Sequence, residues 1–218
     1  MLRYRLAVFD FDGTLADSLP WMIHALDGAA QRFGFRRVGP AEIAMLRGQD
    51  NRAIVRYLGV PFWKIPLIAA YIRDLAAERA NETPLFPGVE EMLRRLSENG
   101  IVLAIVSSNA EATIRRVLGP RTADLISFYE SRAALFGKAA KFARVLRRSR
   151  MPSTDAIAIG DEARDIHAAR RTGLAAGAVC WGYAAPELLR SLHPDLVFEQ
   201  VAEITQALVG GERAAAGQ

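Results

Sequence analysis

Three stretches of the chain share one layout, an apolar run rich in Val, Ile and Ala that ends in small polar or acidic residues. They are Leu6 to Phe11, Ile101 to Val106 and Ala156 to Ile159. Each leads into a segment with helical spacing. Near-continuous apolar strands alternating with helices are the pattern of a parallel sheet covered on both faces. Leu125 to Phe128, Ala175 to Cys180 and Leu196 to Phe198 read as further strands. The expected fold class is α/β, a Rossmann-like three-layer core with a parallel sheet.

No strand pattern interrupts the segment from Ala16 to Pro84. Its apolar residues recur at three and four, as in Trp21, Ile23 and Leu26, then Ile54, Tyr57 and Leu58, then Ile68, Tyr71, Ile72 and Leu75. A single crossover helix needs far less chain, so the excess reads as an inserted all-helical domain. The chain enters it near Asp17 and Ser18 and leaves near Thr83 and Pro84. The expected division is residues 1–15 and 85–210 as core, 16–84 as insert and 211–218 as a frayed tail. After Gly88, Glu90 and Glu91 favour a helix N-terminus, and Gly100 stops that helix before the next strand.

Composition narrows the setting. With 218 residues, 51% of them hydrophobic and 24% charged, the chain can bury a substantial core. One cysteine, Cys180, leaves no internal disulfide and no thiolate zinc site, so a reducing, cytoplasmic location is expected. No apolar run approaches the roughly 18 residues of a membrane span, and no secretory signal pattern opens the sequence. The net charge of +4 arises from 28 basic and 24 acidic residues. Only Lys64, Lys138 and Lys141 are lysines, and the arginines are scattered in pairs, so nucleic acid is not the expected partner. His24, His167 and His193 show no metal-ligand spacing.

The chemistry concentrates where apolar runs end. In Asp10-Phe11-Asp12-Gly13-Thr14, a side-chain period of two sends both carboxylates to one side, and the carboxyl ends of parallel strands border the ligand crevice. Two anions in one small site require a divalent cation between them or a proton on one of them. Asp10 could attack phosphorus, and Asp12 could protonate the leaving oxygen and then deprotonate water. An Asp cap or an Asp-Gly turn would produce the same local pattern.

The second run ends in Ser107, Ser108 and Asn109, which put a hydroxyl and successive amides before a helix, where anions bind. A plain N-cap is the competing explanation. Gly137 and Lys138 open a further helix, and Lys138 and Lys141 both compete to neutralise a nucleophile and a phosphate oxygen. The run ending at Ile159 continues as Gly160-Asp161-Glu162-Ala163-Arg164-Asp165. Hard carboxylate oxygens of this kind suit Mg2+, with Asp161 as the expected ligand.

Taken in order, Asp10-Phe11-Asp12-Gly13-Thr14, Ser107, Lys138 and Gly160-Asp161 with Asp165 resemble the four motifs of the haloacid dehalogenase superfamily. The resemblance implies that Asp10 is the nucleophile and Asp12 the general acid/base. Asp10, Asp12 through its backbone carbonyl, and Asp161 would hold magnesium, and Ser107 with nearby Ser108 and Asn109 would hold phosphate. Lys138 would steady the nucleophile, Asp165 would orient it from outside the metal's ligands, and the helical insert would be the family's cap. Two departures stand out. Glu162 occupies a place where many relatives have Ser or Thr, and reads either as an outer carboxylate or as a favourable acid in a helix's first turn. Lys138 lacks the proline that often follows it.

Dehalogenase relatives replace the second Asp, so Asp12 favours phosphoryl transfer. The resemblance is to the phosphoglycolate phosphatase-like group, which implies a magnesium-dependent phosphatase acting on a small phosphorylated metabolite. Arg47 and Arg52 in the insert are the candidate specificity residues, with Asn109 and Arg164 as similar candidates. A sugar phosphomutase, a phosphonate hydrolase using Lys64, and a non-catalytic interaction protein on the same fold are the rivals. The sequence carries no expectation of oligomeric state.

Overall fold

The computed structural model describes residues 3–131 and 137–210, so the tail expected over 211–218 lies outside the described residues. In chain order the elements are β1 (Leu6–Phe9), α1 (Leu19–Phe33), α2 (Pro40–Arg47), α3 (Asn51–Tyr57), α4 (Ile65–Glu78), α5 (Val89–Glu98), β2 (Val102–Val106) and α6 (Glu111–Ala123). They continue as β3 (Ile126–Glu130), α7 (Lys138–Ser149), β4 (Ala156–Gly160), α8 (Ala163–Thr172), β5 (Ala175–Val179), α9 (Pro186–Ser191), β6 (Leu196–Phe198) and α10 (Val201–Val209).

The strands form one sheet in the order β3-β2-β1-β4-β5-β6, and every pairing is parallel. β1 lies at the centre, where the chain first winds toward β2 and β3 and then crosses to β4. That reversal opens a crevice at the carboxyl ends of the strands. Alternation along β1 explains why all four of its residues are apolar. Ala7 and Phe9 pack with Met92, Leu93 and Leu96 of α5 and Ile204 of α10, while Leu6 and Val8 pack with Phe142 and Val145 of α7 and Ile166 of α8.

β1 stops at Phe9, short of the expected Phe11. The Asp10 amide still donates to Ile159 O at 2.9 Å, and then the chain curls. The amides of Thr14, Leu15 and Ala16 all converge on Phe11 O, with Gly13 at φ 75°. Asp10 and Asp12 are therefore set by a curled loop and not by strand alternation.

Four helices, α1 to α4, separate β1 from α5, as the spacing predicts. The two chain crossings lie side by side: Asp17 N donates to Pro84 O and Phe86 N to Leu15 O, both at 2.9 Å. Within the helical segment, Glu42 of α2 accepts from Tyr57 OH of α3 and from Arg36, each at 2.6 Å. With the Gly39 amide, those donors hold its carboxyl at about 2. Among the described residues no single helix is long and apolar enough to cross a membrane.

The sheet interior should dominate stability. Leu103 on β2 is fully buried whereas Leu67 on α4 is 59% exposed. Urea unfolding of Leu103→Ala should show a loss of about 2–5 kcal/mol, and of Leu67→Ala a change within about 0.5 kcal/mol.

Candidate active site

Asp10 lies at the carboxyl end of β1, 5% exposed. Its Oδ1 accepts from the Phe11 amide at 2.8 Å, and its Oδ2 pairs with Lys138 Nζ at 2.6 Å. The same ammonium pairs with Asp165 Oδ1 from α8. Burial works against a charged lysine, but Asp10 and Asp165 outweigh it and raise the Lys138 pKa. Lys141, one turn further along α7, donates instead to Ser107 O. Burial, followed by the neighbouring Lys138 charge, lowers its pKa to about 8. Of the two competing lysines, Lys138 is the one set against Asp10.

A small cavity of about 20 Å3 opens beside this pair, lined by Asp10, Ser107, Ser108, Lys138, Lys141 and Arg164. That is room for one water-sized group. Ser107 Oγ accepts from the Asn109 amide at 3.0 Å. The Asn109 side chain, expected near phosphate, is engaged elsewhere, with its Nδ2 donating to Asp12 Oδ2 at 2.8 Å. Asn109 thus orients Asp12. Burial first, and the Asp10 charge second, push the Asp12 carboxyl up to about 7.

The β4–α8 turn brings three more acids. Asp165 Oδ2 accepts from the Glu162 amide at 3.0 Å, tying the turn to the first turn of α8. Burial is the main reason its carboxyl rises to about 6, against the pull of Lys138. Glu162 pairs with Arg164 through Oε2 and accepts from Asn51 Nδ2 at 2.8 Å through Oε1, so it touches the helical insert. Asp161 is fully buried. Its Oδ1 accepts from Thr14 Oγ1 at 2.8 Å and its Oδ2 from the Tyr183 amide at 2.7 Å. Burial, with Glu162 and Asp10 adding to it, raises its pKa well above the carboxylate range.

Asp161 is wedged so tightly that side chains are excluded around it. A Cβ at Gly13 would come within 2.2 Å of Asp161 Oδ2, and one at Gly182 within 2.2 Å of its Cβ. Both positions require glycine, and Gly13 also needs its positive φ. The first-motif loop and the Trp181–Tyr183 loop therefore close on one carboxylate. Trp181 Nε1 donates to Thr14 O at 3.1 Å and the Tyr183 hydroxyl bonds Ser18 Oγ at 2.8 Å, completing the clamp.

Five carboxylates, Asp10, Asp12, Asp161, Glu162 and Asp165, thus crowd near two paired cations, Lys138 and Arg164. The raised carboxyl pKa values reflect that imbalance, and a hard divalent cation fits such a donor set. The acids whose oxygens converge within 4.8 Å of one another are Asp10, Glu162 and Asp165. The expected set was Asp10, Asp12 and Asp161. Asp161 stands outside that convergence because it is turned toward Thr14 and the Tyr183 amide, while Asp12 was expected to contribute its backbone carbonyl and its carboxylate is turned toward Asn109.

The insert residues divide. Arg47 Nε and Nη2 donate to Tyr183 O and Gly182 O, both at 2.9 Å, and Arg47 O accepts from the Ala185 amide at 2.7 Å. The end of α2 is therefore docked on the core, and Arg47 serves as the clasp. Arg52 lines a cleft of about 340 Å3 with Lys138, Arg164, His167 and Arg171. Lys64 donates to Phe33 O at the end of α1. Ser18 was not picked out from the sequence as a site residue, because its role depends on a contact between distant loops.

Comparison with known proteins bears on the family and the fold. The family model of the haloacid dehalogenase-like hydrolases matches residues 7–179. A phosphoglycolate phosphatase of Synechococcus elongatus is 31% identical over 92% of this chain and 95% of its own length. One from Agrobacterium fabrum is 28% identical over 93% of this chain and 91% of its own length. Among solved structures, a haloacid dehalogenase-like family protein from Streptococcus pneumoniae superposes with a TM-score of 0.70 at 22% identity, covering 93% of this chain and 97% of that one. CbbY from Rhodobacter sphaeroides, solved with phosphate, gives 0.68 at 20% identity, with 94% and 96% covered. With the acids, the lysine and the serine gathered at one sheet edge, and with relatives matched along nearly their whole length, the chain belongs to the haloacid dehalogenase-like hydrolases, as a phosphatase.

Proposed function

We propose that the protein is a magnesium-dependent phosphomonoesterase that works through an aspartyl-phosphate on Asp10. The observation that carries this reading is the Asp10–Lys138–Asp165 array beside the small Ser107-lined cavity. It sets a carboxylate, oriented by an amide and an ammonium, beside a recess with room for a single phosphoryl oxygen, as suits a nucleophile at phosphorus.

A carboxylate oxygen of Asp10 attacks phosphorus and forms a P–O bond while the bond to the alcohol breaks. Asp12 gives the departing alkoxide a proton. Water then loses a proton to Asp12 and attacks the same phosphorus, releasing inorganic phosphate and restoring both acids. Asn109 holds Asp12 in place for both transfers, and Lys138 offsets the charge of Asp10 and of a transferring phosphoryl oxygen. Magnesium, held by Asp10 and acids of the β4–α8 turn, would supply charge against the phosphoryl oxygens. Glu162 and Asp165 are the acids nearest Asp10 by convergence. Asp161 would serve by sharing an oxygen already bonded to Thr14 or Tyr183.

The cleft lined by Arg52, Arg164, His167 and Arg171 adjoins Lys138 and would draw an anionic substrate toward the site. The four inserted helices, clasped to the core through Arg47 and Asn51, would act as a cap that shields the phosphorylated intermediate from bulk water. The relatives' names suggest a small substrate.

Phosphate release from 4-nitrophenyl phosphate should require magnesium and stop with a chelator. Asp10→Asn should lower kcat by at least about 1000-fold; wild-type turnover in this variant would remove Asp10 as nucleophile. Conversion of a sugar phosphate without phosphate release would mark a phosphomutase instead. Lys138→Met should lower kcat by about 100-fold or more, and Lys141→Met by less than about 10-fold. The reverse ranking in steady-state kinetics would assign the role to Lys141.

A further inference from the structure

A second chamber lies between the helical insert and the core, and its chemistry is unlike that of the cleft beside Lys138. Its volume is about 150 Å3, and its wall is built from Leu19, Met22, Ile23 and Leu26 of α1 with Ile43 and Leu46 of α2. The first four recur at three and four along one helix face, so they form a continuous apolar stripe. Except for Leu46, these side chains are only partly buried.

The chamber adjoins the reacting centre. Glu162 and Tyr183 form its core side. A Glu162 oxygen lies within 4.8 Å of one on Asp10, and the Tyr183 hydroxyl bonds Ser18 beside the Asp12 loop. Glu162 thus stands between the chamber and Asp10, and a group on the ester oxygen of a phosphate at Asp10 is within reach of this wall.

Its polar rim includes the neutral amide of Gln49, and among the described residues Arg47 is the one cation lining it, with the Nε and Nη2 donors of that guanidinium on the carbonyls of Tyr183 and Gly182. The Asn51 amide nitrogen is donated to Glu162, and Glu162 itself would repel a carboxylate. An apolar cavity of about 150 Å3 is large enough to take up a benzene ring.

We infer that the leaving group is an alcohol carrying a compact apolar group of about six carbons, and not a carboxylate-bearing alcohol such as glycolate. This rests on the phosphomonoesterase reading and adds the substrate class to it. The curated relatives named phosphoglycolate phosphatase would then differ from this chain in what they accept beyond the phosphate.

The test compares benzyl phosphate, isopentyl phosphate and phosphoglycolate with magnesium present, by release of inorganic phosphate. All three esters leave as primary alcohols, so differences report recognition more than leaving-group chemistry. Benzyl phosphate should exceed phosphoglycolate in kcat/KM by at least about 10-fold, the low end for placing apolar groups in a fitted pocket. Ile23→Asn should lower kcat/KM for benzyl phosphate by about 10-fold while changing that for phosphoglycolate by less than about threefold. The wild-type comparison decides the matter even if this variant fails to fold. Phosphoglycolate preferred over benzyl phosphate, with that preference lost in Arg52→Ala, would overturn the inference and put the leaving group in the basic cleft, leaving the phosphomonoesterase reading intact. Turnover of none of the three esters or of 4-nitrophenyl phosphate would overturn both.

Discussion

Crowding of negative charge in a buried crevice is the constraint on which the site depends. Asp10, Asp161 and Asp165 are each no more than 5% exposed, and Asp12 and Glu162 stand beside them. Like charges at this spacing cannot all ionise without compensation. Lys138, held between Asp10 and Asp165, supplies part of it, and Arg164 on Glu162 supplies another part. The remainder is the electrostatic basis for a divalent ion, and the approach of a phosphate adds still more negative charge for that ion and Lys138 to offset.

The fold assembles this charge by placing its sources at the ends of neighbouring strands. β1, β2 and β4 lie side by side at the centre of the sheet, so the loops after them meet over the crevice. Apolar packing on both faces holds those strand ends in register, which is how buried leucines and isoleucines far from any proton transfer contribute to it. Gly13 and Gly182 then allow two loops to close around Asp161 with no side chain between them. The helical insert is anchored to the Trp181–Tyr183 loop through Arg47 and to the β4–α8 turn through Asn51.

The alternation of apolar runs with helical spacing made the parallel sheet and the helical insert legible in the sequence, since each depends on local periodicity. Asp10, Ser107 and Lys138 were legible for a related reason, as polar residues at the ends of apolar runs or the start of a helix. The destination of each side chain was not. Asp161 turns toward Thr14 and the Tyr183 amide, and Asn109 toward Asp12, because of partners far away in sequence. Arg47 looked like a substrate ligand, yet its guanidinium meets the carbonyls of residues 182 and 183, which no local pattern announces. Glu162, readable either as an outer acid or as a helix-start residue, sits at the first turn of α8 and also joins the core to Asn51.

Calorimetric titration of magnesium into chelator-treated protein tests the charge argument most directly. The account predicts one ion bound per chain, a higher melting temperature on binding, and loss of both effects in Asp10→Ala. A wild-type protein that hydrolyses phosphomonoesters fully while binding no divalent cation would contradict it.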